Sequence, residues 1–265
     1  MNTRLLFPLL FPLLLCLPPL AAQAADTSPW GDHTDISLGL VAGAVSRYMG
    51  SADYRPQLLP LVVVQRGLFF ADTTRGLGLQ WQSARGLTLS GALNYDFGRD
   101  DRDNASRPGA DRLSGMGEVE GATVFDLILS QALAPWLSLN AEGEWRLAGA
   151  QRGTRYRLGL EAIGLHTERD TLALDLDAHA GDSRFNQTYF GVTDAQSIAS
   201  GFAPARIDRG LYAYSAALNW LHTFDPHWSS VATLTTTHYT DQVRDSPLLQ
   251  RATATTAQLA LTYSF

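Results

Sequence analysis

Asp175, Asp177 and His179 recur at intervals of two, and residues two apart on a β-strand share one face. Such a column could relay protons or, with Glu142 and Glu144 from a nearby segment, ligate a metal ion. The same carboxylates have another use. Glu142 and Glu144 could pair with Arg155 and Arg157 on the next segment, an ion network that only fills a polar interior. Polar interiors of barrels routinely carry such networks, which favours this use, and no metal or other cofactor is expected. Nucleophilic catalysis fares worse: Ser229 and Ser230 stand at the opposite end of one segment from His238 and Tyr239, and Ser215 with His222 is no better placed. The long connections contain no histidine, and catalysis is not expected.

The elements that carry these groups alternate with period two. Leu87, Leu89, Gly91, Leu93, Tyr95 and Phe97 oppose Thr88, Ser90, Ala92, Asn94 and Asp96. Phe125, Leu127 and Leu129 lie opposite the face of Asp126, and Leu137, Leu139, Ala141, Gly143, Trp145 and Leu147 oppose Ser138, Asn140, Glu142, Glu144 and Arg146. Leu172, Leu174 and Leu176 oppose Asp175, Asp177 and His179, and Tyr212, Tyr214, Ala216, Leu218 and Trp220 make a further apolar face. Between Leu160 and Ile163 the phase switches, which reads as a bulge. The segment from Trp228 to Tyr239 is too rich in threonine to orient.

In a soluble sandwich the outward faces carry the charges; here the charged face opposes a continuous apolar one. Burying Glu142, Glu144, Arg146, Asp175 and Asp177 in a dry core would cost several kcal/mol per ion unless each were paired, whereas a watery lumen removes that cost. The pattern therefore predicts an all-β, transmembrane, antiparallel up-and-down barrel with lipid outside and a polar lumen of Asp96, Asp126, Glu142, Glu144, Arg146, Arg157, Asp175, Asp177 and His179. Tyr95, Phe97, Trp136, Tyr156, Tyr212, Trp220, Trp228 and Tyr239 near strand ends suit its interfacial girdles. Earlier strands are read at Ile36 to Arg47, Leu58 to Gln65, Leu68 to Asp72 and Leu77 to Gln82. The total is about twelve, or ten if Leu68 to Gln82 is one bent strand. Long joins at Arg99 to Glu118, Gly181 to Arg209 and Thr240 to Arg251 alternate with short ones, as extracellular loops alternate with periplasmic turns.

Both ends of the chain agree. Leu259, Leu261, Tyr263 and Phe265 alternate with Ala260, Thr262 and Ser264, and the terminal Phe265 with Tyr263 resembles the signal by which barrel-assembly machinery recognises outer-membrane substrates. Arg4, the apolar run Leu5 to Leu20 and the small residues Ala22 and Ala24 form a secretory signal, with residues 1–24 removed and 25–265 left as one barrel domain. Cys16 lies within it, so the mature chain has no thiol chemistry. A net charge of -6 and the lack of a basic patch argue against nucleic acid as a partner.

Several motifs resemble one family. Tyr48, Gly50, Ser51, Tyr54 and Arg55, then Pro60, then Gly67, Phe69 and Phe70, resemble the opening signature of the MipA/OmpV family, also called MltA-interacting proteins. Gly98, Arg99 and Asp100 leading to Leu113, Gly115 and Gly117, and Tyr189, Phe190, Gly191 and Val192 leading to Ser200 and Gly201, continue the match from about Ile36 to Phe265. The resemblance implies an outer-membrane protein, set in lipid and lipopolysaccharide, that adapts the membrane to the peptidoglycan machinery by binding a lytic transglycosylase and a murein synthase. Other members are described as adhesion or osmotic-response proteins. From the residues themselves, Tyr54, Phe69, Phe70, Tyr189 and Phe190 are expected to pack as a plug inside the outer mouth. The reading is a monomeric or weakly associating scaffold without enzymatic activity. A narrow cation-preferring channel is the main alternative, and an outer-membrane hydrolase a weaker one.

Overall fold

The computed structural model describes residues 29–149 and 152–265; the signal-peptide reading falls outside them. Twelve antiparallel strands follow one another around a closed barrel. They are β1 (Asp35–Ser46), β2 (Tyr54–Arg66), β3 (Phe69–Asp72), β4 (Gly76–Gln82), β5 (Leu87–Asp96), β6 (Ala122–Ala134), β7 (Leu137–Gly149), β8 (Arg155–His166), β9 (Asp170–Gly181), β10 (Gly210–Thr223), β11 (Trp228–Tyr239) and β12 (Thr253–Ser264). β12 closes on β1 with Leu38 opposite Tyr263 and Ala42 opposite Leu259. β3 and β4 are separate strands joined through Thr73, Thr74 and Arg75, which settles the count at twelve. The long β9–β10 loop carries helices α1 (Ser183–Phe190) and α2 (Asp194–Ser200), and the β11–β12 loop carries α3 (Asp241–Arg244).

The alternation in the sequence becomes two chemical faces. Leu93, Leu147, Leu174, Leu176, Leu218 and Leu259 are among the exposed large apolar residues, an outer surface that only hydrocarbon would cover. On the inner face Asp96, Asp126, Glu144 and His179 are buried. The phase switch in β8 is a bulge, with the register against β9 slipping between Ile163 and Leu165.

Two girdle aromatics belong inside instead. A bulge on β10 between Leu211 and Ala213 turns Tyr212 inward, leaving it 2% exposed, and Leu211 takes the outward place. Tyr239 shares the inward face of β11 with Val231 and Thr233, and its hydroxyl accepts the Gly50 N–H at 2.9 Å. The lumen is also less watery than the charges imply. Val41, Leu59, Leu61, Val231 and Ala260 form a buried aliphatic cluster on the inner side of β1, β2, β11 and β12.

The facing predicts a contrast between neighbours. Leu174 points outward near the middle of β9, and Asp175 points inward. Leu174→Arg should cost about 2–4 kcal/mol, the depth-dependent loss for a cation near the bilayer midplane, and Asp175→Arg much less. Urea unfolding from vesicles, followed by heat-modifiable gel mobility, measures both; equal losses would mean that the facing is misassigned.

Candidate functional site

The outer mouth is built first from α1. Its N-cap Asp182 accepts the Phe185 N–H at 2.7 Å and, through its other oxygen, the Thr154 N–H at 2.9 Å, which fixes the helix over the lumen. Phe185, Asn186, Tyr189 and Phe190 are the buried residues of that helix. Phe185 meets Tyr189 and Tyr212 at 4.7 and 5.6 Å between ring centres, and Phe190 meets Tyr212 and Tyr239 at 5.4 and 6.0 Å. Val243 of α3 completes the cluster. Asn186, fully buried among these rings, donates to the Asp208 carbonyl at 2.8 Å.

A second apolar cluster ties the loops together above the strands: Tyr48, Ala110, Leu113, Met116, Val192 and Leu248. The Tyr48 hydroxyl donates to the Leu248 carbonyl at 3.0 Å. Ser51 is buried beside it, and the Ala52 N–H donates to Gln250 Oε1 at 2.9 Å. The loop between β5 and β6 turns at Gly98, whose φ is +70° and where a Cβ would lie 1.8 Å from the Val119 carbonyl oxygen, so glycine is required. Beyond it Arg99 and Val119 form a bridge, and Asp100 holds Arg107 at 3.1 Å. Burial alone would raise the Asp100 carboxyl, but the Asn104 and Arg107 hydrogen bonds hold it below its ordinary value. Gly115 and Gly117 also lie at positive φ. Gly191 donates to the Gln187 carbonyl at the end of α1, the Ser200 hydroxyl donates back to Gln196, and Gly201 ends α2 in the left-handed region.

The family-motif residues thus divide. Tyr48, Leu113, Tyr189, Phe190 and Val192 build the plug. Tyr54 and Phe69, expected there, face outward at 40% and 41% exposure because they occupy lipid-side positions of β2 and β3. Gly67 and Phe69 lie at the short β2–β3 turn, the periplasmic end, where Phe69 stacks on Trp30. Phe70 is inside but low in the barrel, under the Arg75 guanidinium at 4.1 Å. Pro60 and Arg55 are on β2, Arg55 inward and Pro60 outward.

Beneath the aromatic layer lies an ionic one, set by strand register. Glu144 is opposite Arg155, and Glu142 opposite Arg157. Glu144 is gripped by both Arg152 and Arg155, and Arg152 reaches on to Asp96 at 2.7 Å. Arg157 bridges Glu142 at 2.8 Å and Asp177 at 3.1 Å. Burial alone would lower the Arg152 guanidinium; Asp96 is the larger of the nearby charges that instead hold it above its ordinary value. Burial likewise pushes the Tyr189 phenol up, and its hydroxyl stands 3.4 Å from Asp96 as a donor. Arg146 lies apart, half-buried at the outer end of β7, donating to the Gly149 carbonyl at 3.2 Å.

The remaining acids are held by amides. Asn94 donates to Asp126 at 3.3 Å, and Asn219 donates to Asp175 at 2.6 Å while accepting from Thr233. His179 meets Ser215 at 2.8 Å across the β9–β10 pair, a contact that sequence reading missed because it depends on register. A serine against a histidine invites a nucleophilic reading. However, the nearby carboxylate, Asp177, contacts Ser215 at 3.5 Å and belongs to Arg157, and both His179 and Ser215 sit under the ring layer. At the other end of the chain, Tyr263 packs on His227, Trp228 and Phe265, and the Phe265 N–H donates to the Ile36 carbonyl at 3.0 Å.

A closed antiparallel barrel with an apolar belt, short turns at one end and folded loops at the other is an outer-membrane β-barrel protein. Residues 38–265 match the MltA-interacting protein MipA family, and the chain belongs to that family. Among curated proteins none matches the sequence. Solved structures similar to it include the KdgM porin, 8% identical over 88% of this chain and 99% of that one, with a TM-score of 0.41. An outer-membrane channel of Pseudomonas putida F1 is 14% identical over 91% and 98%, with a TM-score of 0.44. OprB of Pseudomonas putida is 9% identical over 88% and 94%, with a TM-score of 0.42.

Proposed function

We propose that the protein is a non-conducting, non-enzymatic anchor in the outer membrane that holds a murein-processing enzyme at the membrane's inner face. The observation that carries this reading is the filled interior. Aromatic, ionic and aliphatic groups occupy the barrel from the mouth inward, so its surface rather than a passage is what it offers the envelope. The family description names an interaction with MltA, a lytic transglycosylase, and the expected partners are an enzyme of that class and, with it, a murein synthase. Such a partner would meet the short turns. The family motifs at the opposite end then serve to close the barrel, which reconciles a periplasmic partnership with distinctive residues in the outer loops.

A narrow cation path is the second reading, favoured by Asp126 and Asp175, which are held by asparagine amides rather than by guanidinium groups. Two measurements on the intact protein separate them. An anchor should be silent in planar bilayers and, immobilised in detergent, should retain a lytic transglycosylase. Steady cation-selective conductance without retention of that enzyme would overturn the anchor and establish the channel.

A further inference from the structure

The short β3–β4 hairpin stands between β2 and β5 but covers only part of their height. β3 pairs with β2 from Val63 to Arg66, and β4 pairs with β5 from Thr88 to Leu93. Its turn is pinned at that level: the Val62 N–H donates to Thr73 Oγ1 at 2.9 Å, and the Thr73 N–H donates to the Val62 carbonyl at 3.0 Å. Toward the outer rim, Tyr54 to Leu61 of β2 have β1 on one side and, among the described residues, no strand on the other. Asn94 to Asp96 of β5 likewise pair with β6 alone. Above them the β5–β6 loop crosses back to β1 and β2, with Gly109 donating to the Arg47 carbonyl at 2.8 Å, Asp103 pairing with Arg47 at 3.0 Å and Arg55 donating to the Ala105 carbonyl at 3.4 Å. The wall therefore has a framed notch in the outer half of its apolar belt. At about 3.3 Å per residue and 4.8 Å per strand, it is roughly 26 Å long on the β2 side and about 14 Å across.

The edges of this notch are chemically prepared. Backbone polar groups of successive strand residues point to alternate sides, and those of Val62 face the hairpin. Residues 54, 56, 58 and 60 accordingly face the notch, and two of the four are Pro56 and Pro60, which have no N–H to leave unpaired in hydrocarbon. On the far side the Tyr95 N–H is taken by its neighbour Asn94 Oδ1 at 2.8 Å. An added β-strand needs donors and acceptors in alternation; this edge offers four carbonyls but only the N–H groups of Tyr54 and Leu58, so it disfavours strand pairing. Carbonyls tolerate poor pairing better than N–H groups do. On the β5 side Asn94 ties the wall to the hairpin turn and the interior by donating to the Thr74 carbonyl and to Asp126, each at 3.3 Å, and the lumenal cavity next to it, lined by Phe70, Thr74, Arg75 and Asn94 among others, measures about 20 Å³, room for a single water.

What remains open is apolar and continuous with the lipid belt, with Leu58 between the two prolines at 66% exposure. We infer that the notch seats an acyl chain of an outer-leaflet lipid, filling the wall where two strands stop short. This inference is independent of whether the barrel anchors an enzyme or conducts.

The test uses the full mature chain in phosphatidylcholine vesicles doped with phosphatidylcholine bearing a diazirine on one acyl chain. After irradiation, adducts are mapped by peptide mass spectrometry. Adducts over residues 54–61 and on Tyr95 should exceed those at Leu174 and Leu218, comparably exposed positions of an unbroken wall, by roughly fivefold, the ratio given by about 1 kcal/mol of preferential seating. Leu58→Trp, which fills the notch, should remove the excess in barrels whose insertion is verified by gel mobility. Even labelling of the unmodified protein around the barrel would overturn the inference, and so would an excess unchanged in Leu58→Trp.

Discussion

Replacing Glu144 with glutamine should destabilise the barrel by about 3–5 kcal/mol, the usual cost of removing one partner from a buried ion pair. Glu144 is 3% exposed and is the shared anion of two guanidinium groups, Arg152 and Arg155. Arg152 itself is 2% exposed and would be left to Asp96, while Arg155 would lose its contact with the Glu144 carboxylate. Glutamine keeps the shape but supplies a neutral acceptor, so the cost measures charge rather than packing. Asp177→Asn is the control: Arg157 would still hold Glu142 at 2.8 Å, so the loss should be clearly smaller. Denaturant titration in vesicles reads both. Similar small losses would mean that water reaches the layer and screens it.

The strands were legible because lipid on one side and a charged interior on the other impose period two, as Leu174 against Asp175 illustrates. The Glu142–Arg157 and Glu144–Arg155 pairs were legible too, since they follow from hairpin register. Arg152 was not, because it reaches the layer from a loop, where no periodicity marks direction. Tyr212 misled for a related reason: one extra residue at a bulge inverts the face of everything beyond it, and composition does not show where that residue sits. The assignment of Phe69 and Phe70 to the mouth failed on topology. Reading them as a loop motif put them at the wrong end, whereas they open β3 from a periplasmic turn. The aliphatic cluster around Leu59 and Leu61 was hidden because β2 is apolar on both faces, and an apolar residue in such a strand does not reveal which side it faces.

Truncating Phe190 to alanine should likewise cost about 3–5 kcal/mol, and for a reason that distinguishes the inside of this barrel from its outside. Phe190 is fully buried, packed on Tyr212 and Tyr239, while its carbonyl accepts the Ser246 hydroxyl at 2.5 Å. Its neighbours are fixed by the α1 cap, the β10 bulge and the Gly50 bond to Tyr239, so they cannot collapse into the space, and the cavity term is retained. An outward truncation such as Leu218→Ala leaves a gap that a lipid chain refills, and should cost well under half as much. Unfolding of the two variants in the same vesicles gives the comparison. If Phe190→Ala cost no more than Leu218→Ala, the rings over the lumen would be a loosely packed lid rather than a core, and the case for a non-conducting barrel would fall with them.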